Sequence, residues 1–176
     1  MIRRVREVLV HSNDYVRVYD DEVAFDNGSS GTHLRLEGVG GEGVVMLCLC
    51  GDRVALVRTY RYALAADQWG LPRGFGHGES PRHSALAELR EEIGEEPDAL
   101  ELLGTVHPDS GVQSTAVHVF LASYATEVAA PTDVLEVAEV RWVPLDALWQ
   151  RVARGELTDG FTLSALAMLT ARRRDG

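Results

Sequence analysis

Cysteine is scarce in this chain: two residues in 176, Cys48 and Cys50. Two cysteines cannot build the disulfide framework of a small secreted scaffold. Two apart on one strand, with no second pair, they make no zinc site and read as small buried residues. Long apolar runs are also missing. The longest, Val44 to Cys50, suits a buried strand and falls far short of the roughly 20 residues that span a bilayer. The first residues, Met1 to Glu7, carry charges but no apolar leader core, so a cytoplasmic protein is expected. Positive charge is in deficit. Seventeen basic against 27 acidic residues leave a net charge of −10, a poor match for a nucleic-acid backbone or an anionic membrane. No Gly-Lys-Ser/Thr occurs, which excludes a P-loop. Asp109-Ser110-Gly111 lacks the first glycine of a nucleophile elbow, which argues against covalent serine chemistry. The six histidines show no metal spacing, and Arg172-Arg173-Arg174 is a short helix-end cluster with no basic helix-turn-helix beside it.

What remains is a globular composition, 45% hydrophobic and 25% charged, with enough chain for one domain or one domain plus a small appendage. Val8-Leu9-Val10, Val16 to Tyr19, Val23-Ala24-Phe25 and His33 to Leu36 alternate like strands, with a turn at Asp26-Asn27-Gly28. Residues 1–40 therefore read as a small antiparallel sheet. The glycines at 38, 40, 41 and 43 mark a boundary, after which residues 41–176 form the main domain. Val44–Cys50 and Arg53–Arg58 read as a hairpin about Gly51-Asp52. A helix starts at Ser80, a good cap, with Pro81 in its first position. Ala85, Leu86, Leu89 and Ile93 form its apolar stripe, and Gly94 ends it. Strands near Leu100–Thr105, Ala116–Ser123 and Glu139–Val143 follow, then helices near Leu145–Arg154 and Phe161–Arg172. That order predicts a layered α/β or α+β domain.

The chemistry gathers on the helix from residue 80. Glu88 and Glu92 are i and i+4, so both carboxylates project on one face, and Glu91 flanks them. Like charges at that spacing repel and also oppose the dipole at a helix C-terminus, each by a few tenths of a kcal/mol to about 1. A hard cation would offset this, and oxygen-only donors select Mg²⁺ or Mn²⁺ over zinc. The competing reading is a solvated acidic face. Before the helix runs Trp69-Gly70-Leu71-Pro72-Arg73-Gly74-Phe75-Gly76-His77-Gly78-Glu79, whose glycines let backbone approach a ligand closely.

Gly74, Glu79, Glu88, Leu89, Glu91, Glu92 and Gly94 together resemble the Nudix box, G-x5-E-x7-R-E-U-x-E-E-x-G-U. The resemblance continues through Arg58-Thr59-Tyr60-Arg61-Tyr62, Trp69-Gly70-Leu71-Pro72, Pro108-Asp109-Ser110-Gly111 and Val140 to Leu145, and is strongest for ADP-ribose pyrophosphatase-like members. Three positions depart from the pattern. Four residues, not five, separate Gly74 from Glu79. Ala87 stands where the pattern has Arg, leaving Arg82 and Arg90 as the nearby substitutes. Glu95 stands where an aliphatic is expected.

The resemblance implies an α/β/α sandwich with a mixed sheet, plus the small N-terminal sheet. It implies Mg²⁺-dependent hydrolysis, with Mn²⁺ as an alternative ion, of the pyrophosphate bond in ADP-ribose or a related nucleoside diphosphate-X compound. The alternatives are hydrolysis of nucleoside di- or triphosphates and a nucleotide-binding module that does not cleave. By the same resemblance Glu88 and Glu92 are the main metal ligands, Glu91 is a further ligand or the base, and Arg73 contributes its carbonyl. The general base is expected after the box at Glu136, with Glu139 as runner-up. Arg58 and Arg61 are candidates for the phosphates. Trp69 and Tyr62 could stack on a base or pack in the core. Gly74 and His77 lie in the box loop near the substrate, and Glu79 supports the box. The N-terminal sheet implies a homodimer in which it helps to build the substrate site.

Overall fold

The computed structural model describes residues 1–76, 80–133 and 135–175, the side chain of Asp175 excepted. The N-terminal sheet has four antiparallel strands. Its axis is the long strand β3 (Val16–Phe25). One edge of β3 carries β4 (Ser30–Gly38) along its whole length, across the Asp26–Gly28 turn. The other edge carries β1 (Ile2–Arg6) and β2 (Leu9–Ser12) end to end. The two alternating stretches expected at 16–19 and 23–25 are thus one strand. Asp20, Asp21 and Glu22 continue its alternation, and buried Asp21 is held by Arg35 at 2.9 Å. β1 has little alternation and was not expected as a strand.

The larger sheet has seven strands. β5 (Gly43–Cys50) lies parallel to β10 (Val117–Ser123), and every other pairing is antiparallel. β6 (Arg53–Arg61) turns back on β5 at Gly51, whose φ of 59° suits glycine. It then leaves β5 to pair with β7 (Ala66–Gly70), and β8 (Arg73–Phe75) takes the vacated edge of β5. β9 (Ala99–Val106) flanks β10, and β11 (Val137–Pro144) flanks β6. This makes the sheet mixed, as expected for the fold.

Strand alternation sorts the core into two layers. Val44, Met46, Cys48, Ala55 and Val57 point one way and pack on α1 (Pro81–Glu92) through Ala85, Leu89 and Ile93. Val45, Leu47, Val54 and Leu56 point the other way. They pack on α2 (Leu145–Ala153) and α3 (Gly160–Asp175) through Leu148, Ala165, Leu166 and Leu169. The result is an α/β/α sandwich. The ends of α1 follow their local chemistry: the Ser80 hydroxyl accepts from the His83 N–H at 3.2 Å, and Gly94 leaves the helix at φ 101°. Among the described residues, no helix is long and apolar enough to cross a membrane.

Candidate active site

A cleft of about 780 Å³ opens where β5, β8 and β10 begin. Arg61, Arg73, Gly74, Glu88, Glu136 and Phe161 line it, and Tyr15 and Phe75 also border it. Both of those rings are largely exposed, at 81% and 69%. Beneath the cleft, Glu92 is only 4% exposed. Its carboxylate accepts the Arg73 main-chain N–H at 3.0 Å. Burial, then the neighbouring Glu88 charge, pushes its pKa from 4.5 up to about 8, while the Arg73 hydrogen bond pulls it the other way. The Glu88 carboxylate lies over Gly74, and a Cβ at residue 74 would fall inside it. A larger residue there would have to displace the Glu88 carboxylate.

Strand parity decides which cation meets these carboxylates. On β6, Ala55 and Val57 face α1, so Arg61 faces α1 and the glutamates. Val54 and Leu56 face α2 and α3, so Arg58 faces the opposite side. The contacts agree. Arg58 binds Asp67 at 2.6 Å and Glu139 at 3.4 Å. Glu139 is also held by Arg141, whose guanidinium sits 4.8 Å over the Trp69 ring. Arg58, Glu139 and Trp69 therefore form a charge-balanced cluster outside the cleft lining. Arg61 has no ion pair or hydrogen bond from its guanidinium to any described residue, and its Nε is buried without a partner. It adds an attractive charge to Glu92.

Of the residues singled out by sequence, the structure brings together Arg61, Arg73, Gly74, Glu88 and Glu136 as cleft lining, with Glu92 behind them. Glu91 is exposed, and its main-chain carbonyl accepts from Thr132 and Asp133. His77 and Glu79 lie outside the described residues. Neither substitute for the missing box arginine is spare: Arg82 donates to the Leu100 carbonyl at 2.7 Å, and Arg90 pairs with Glu96 at 2.6 Å. Tyr62 is 90% exposed, away from the core.

Sequence reading missed Asp159 and Phe161. Asp159 is 5% exposed and bonds Arg73 Nη1 at 2.8 Å, and the Phe161 ring lies 4.8 Å beneath the same guanidinium. An Asp three residues before a Thr at a helix start marks a cap, but nothing local marks its partner 86 residues away.

The donor set fits a hard divalent cation. Two carboxylates stand one helical turn apart, and the buried one has no direct ion pair with a described residue, so the pair favours added positive charge. Among the described residues no three His, Cys, Asp or Glu side chains stand close enough to enclose a metal ion.

A family profile described as NUDIX domain matches residues 41–161. The CMP-5'-(N-acetyl-N-hydroxy-3-aminopropyl)phosphonate hydrolase of Streptomyces rubellomurinus is 30% identical over 167 residues, 93% of this chain and 80% of that protein. The ADP-ribose pyrophosphatase of Mycobacterium tuberculosis is 27% identical over 166 residues, 92% of this chain and 80% of its own. A crystal structure of an ADP compounds hydrolase superposes with a TM-score of 0.83 over 99% of this chain and 95% of that one, at 20% identity, and so shares the fold. The chain belongs to the Nudix family, beside its ADP-ribose pyrophosphatase-like members, and is a Nudix pyrophosphohydrolase.

Proposed function

We propose that the cleft hydrolyses the pyrophosphate bond of ADP-ribose or a related nucleoside diphosphate-X compound, with Mg²⁺ or Mn²⁺. One observation carries this reading: Glu88 lines the cleft with the Arg61 guanidinium, which no described residue pairs, and buried Glu92 lies behind them. Carboxylates alone would repel a diphosphate. Carboxylates with a cation and guanidinium groups suit one.

In this reading Glu88 and Glu92 hold the cation, with Glu91 and the Arg73 carbonyl as further donors. Bound there, it would neutralise charge on the pyrophosphate oxygens. Arg61 and Arg73 grip those oxygens, since guanidinium groups match phosphate geometry. Glu136, on the cleft wall, takes the proton of the attacking water. Glu139 is the less favoured base because Arg58 and Arg141 hold it, and Glu91 because it faces solvent. Gly74 keeps the space beside Glu88 clear. Tyr15 and Phe75 border the cleft and offer faces to a nucleobase. Apolar Ile2, Val5, Leu9, Val10, Phe25 and Leu34 are all at least 40% exposed on the N-terminal sheet, which supports a homodimer that covers them.

A second reading follows from the relative of Streptomyces rubellomurinus. Its CMP-linked phosphonate differs from ADP-ribose in both the base and the group beyond the bridge. Product chromatography on ADP-ribose, sugar nucleotides, CMP-linked phosphonates and free nucleotides, with each metal, separates the two. Cleavage at the bridge, lost in Glu92→Gln, is the expected result. No cleavage of any compound would overturn both readings.

A further inference from the structure

The N-terminus of α3 is tied to the strand that enters the glycine loop through one side chain. Asp159 Oδ2 accepts the Thr162 N–H at 2.9 Å and the Thr162 hydroxyl at 2.6 Å, capping the helix. That hydroxyl accepts the Leu71 N–H at 3.0 Å, and the other Asp159 oxygen accepts Arg73 Nη1 at 2.8 Å. Leu71 and Thr162 are both fully buried. Gly70 completes the fit, since a Cβ there would come within 3.1 Å of Asp159 Oδ2 and 3.4 Å of the Thr162 hydroxyl.

The network has a direction. Pairing a buried carboxylate with one end of the Arg73 guanidinium, and laying that group over Phe161, leaves its orientation little freedom. Arg73 and Phe161 are shared by the main cleft and by a smaller cavity of about 290 Å³ at the start of α3. Arg73 is thus a wall between the two, with the Asp159-bonded end on the smaller side. Arg61 lines the main cleft too, and its charge repels that of Arg73. Two guanidinium groups, only one of them compensated, face one space, and an anion between them relieves the repulsion.

We propose that Asp159 is the positioning residue that fixes Arg73 as an anion-binding group of the cleft, so that Arg73 and Arg61 hold the two phosphoryl groups of a diphosphate together. The assignment rests on the diphosphate reading above. Asp159 itself touches no substrate. Its effect passes through Arg73, and the Arg73 main-chain N–H on Glu92 ties the same segment to the metal-binding carboxylates.

The test uses the full chain in Mg²⁺ buffer and methylenediphosphonate, a diphosphate whose bridge cannot be cleaved, with calorimetric affinities. Asp159→Asn keeps one carbonyl oxygen for the Thr162 cap but turns an amide NH2 toward Arg73 and removes the charge. It should weaken affinity about tenfold, as should Arg73→Met. The double variant should bind no more weakly than Arg73→Met alone, within about twofold. Asp159→Asn should raise KM with little change in kcat. A purely structural cap would lower Tm in both backgrounds without this non-additivity. Unchanged affinity in Asp159→Asn, additive losses, or no binding by the unaltered chain would overturn the assignment. If the affinities follow the pattern while no diphosphate compound is hydrolysed, the assignment stands and the hydrolytic reading fails. If hydrolysis proceeds and Asp159→Asn binds normally, the reverse holds.

Discussion

Glu92 is a carboxylate that the fold buries against its charge preference. In the folded chain it titrates near 8, in the unfolded chain near 4.5. Between those values the folded form keeps a proton that the unfolded form has lost, so stability falls as pH rises through the window. The metal-free protein should therefore have a higher Tm at pH 5.5 than at pH 8.5 from this group, and Glu92→Gln should flatten the difference. Mg²⁺ competes with that proton, so it should raise Tm more at pH 8.5 than at pH 5.5. Equal Mg²⁺ shifts at both pH values would remove Glu92 from the metal site. Gly74 is the second test at this scale. Gly74→Ala displaces the Glu88 carboxylate, so the variant should fold yet lose about 100-fold or more in metal-dependent turnover, measured beside its melting curve. The glutamate pair was legible in the sequence because i,i+4 spacing is local. The burial of Glu92, and hence its shifted titration, was not, since it depends on how α1 sits against β8.

Element by element, legibility follows the range of the signal. α1 was readable from its cap, its apolar stripe and its terminal glycine, and the β5–β6 hairpin from two apolar runs about a Gly-Asp turn. β7 and β8 were not. They are five and three residues long, glycine-rich and without periodicity, and only their pairing with β6 and β5 makes them strands. Gly94 tests the end of α1. A side chain there faces both a positive φ and the Ala130 carbonyl oxygen, so Gly94→Ala should destabilise by about 2–4 kcal/mol in denaturant unfolding. β6 gives a functional contrast. Arg58 and Arg61 are an odd number of residues apart and so face opposite sides of the sheet, an alternation the sequence held although both were read toward the phosphates. Arg61→Met should raise KM about tenfold or more, while Arg58→Met should leave kcat/KM within about threefold. Equal losses in the two variants would contradict the assignment by strand parity.

Taken whole, the molecule carries net charge −10 and yet is proposed to bind an anion, which places the attraction in a few guanidinium groups and a divalent cation rather than in the overall field. Its N-terminal sheet exposes apolar side chains from Ile2 to Leu34, which the proposed homodimer would cover. Sedimentation at micromolar concentration should give twice the mass of 19.3 kDa, and Leu34→Asp should shift it toward the monomer; a monomer in the unaltered chain would contradict the dimer. The measurement that bears most directly on the central claim is hydrolysis of ADP-ribose and CMP-linked phosphonates with Mg²⁺, run beside Glu92→Gln. Cleavage at the pyrophosphate-type bridge that disappears in EDTA and in Glu92→Gln is the predicted result. Cleavage that persists unchanged in Glu92→Gln would contradict it.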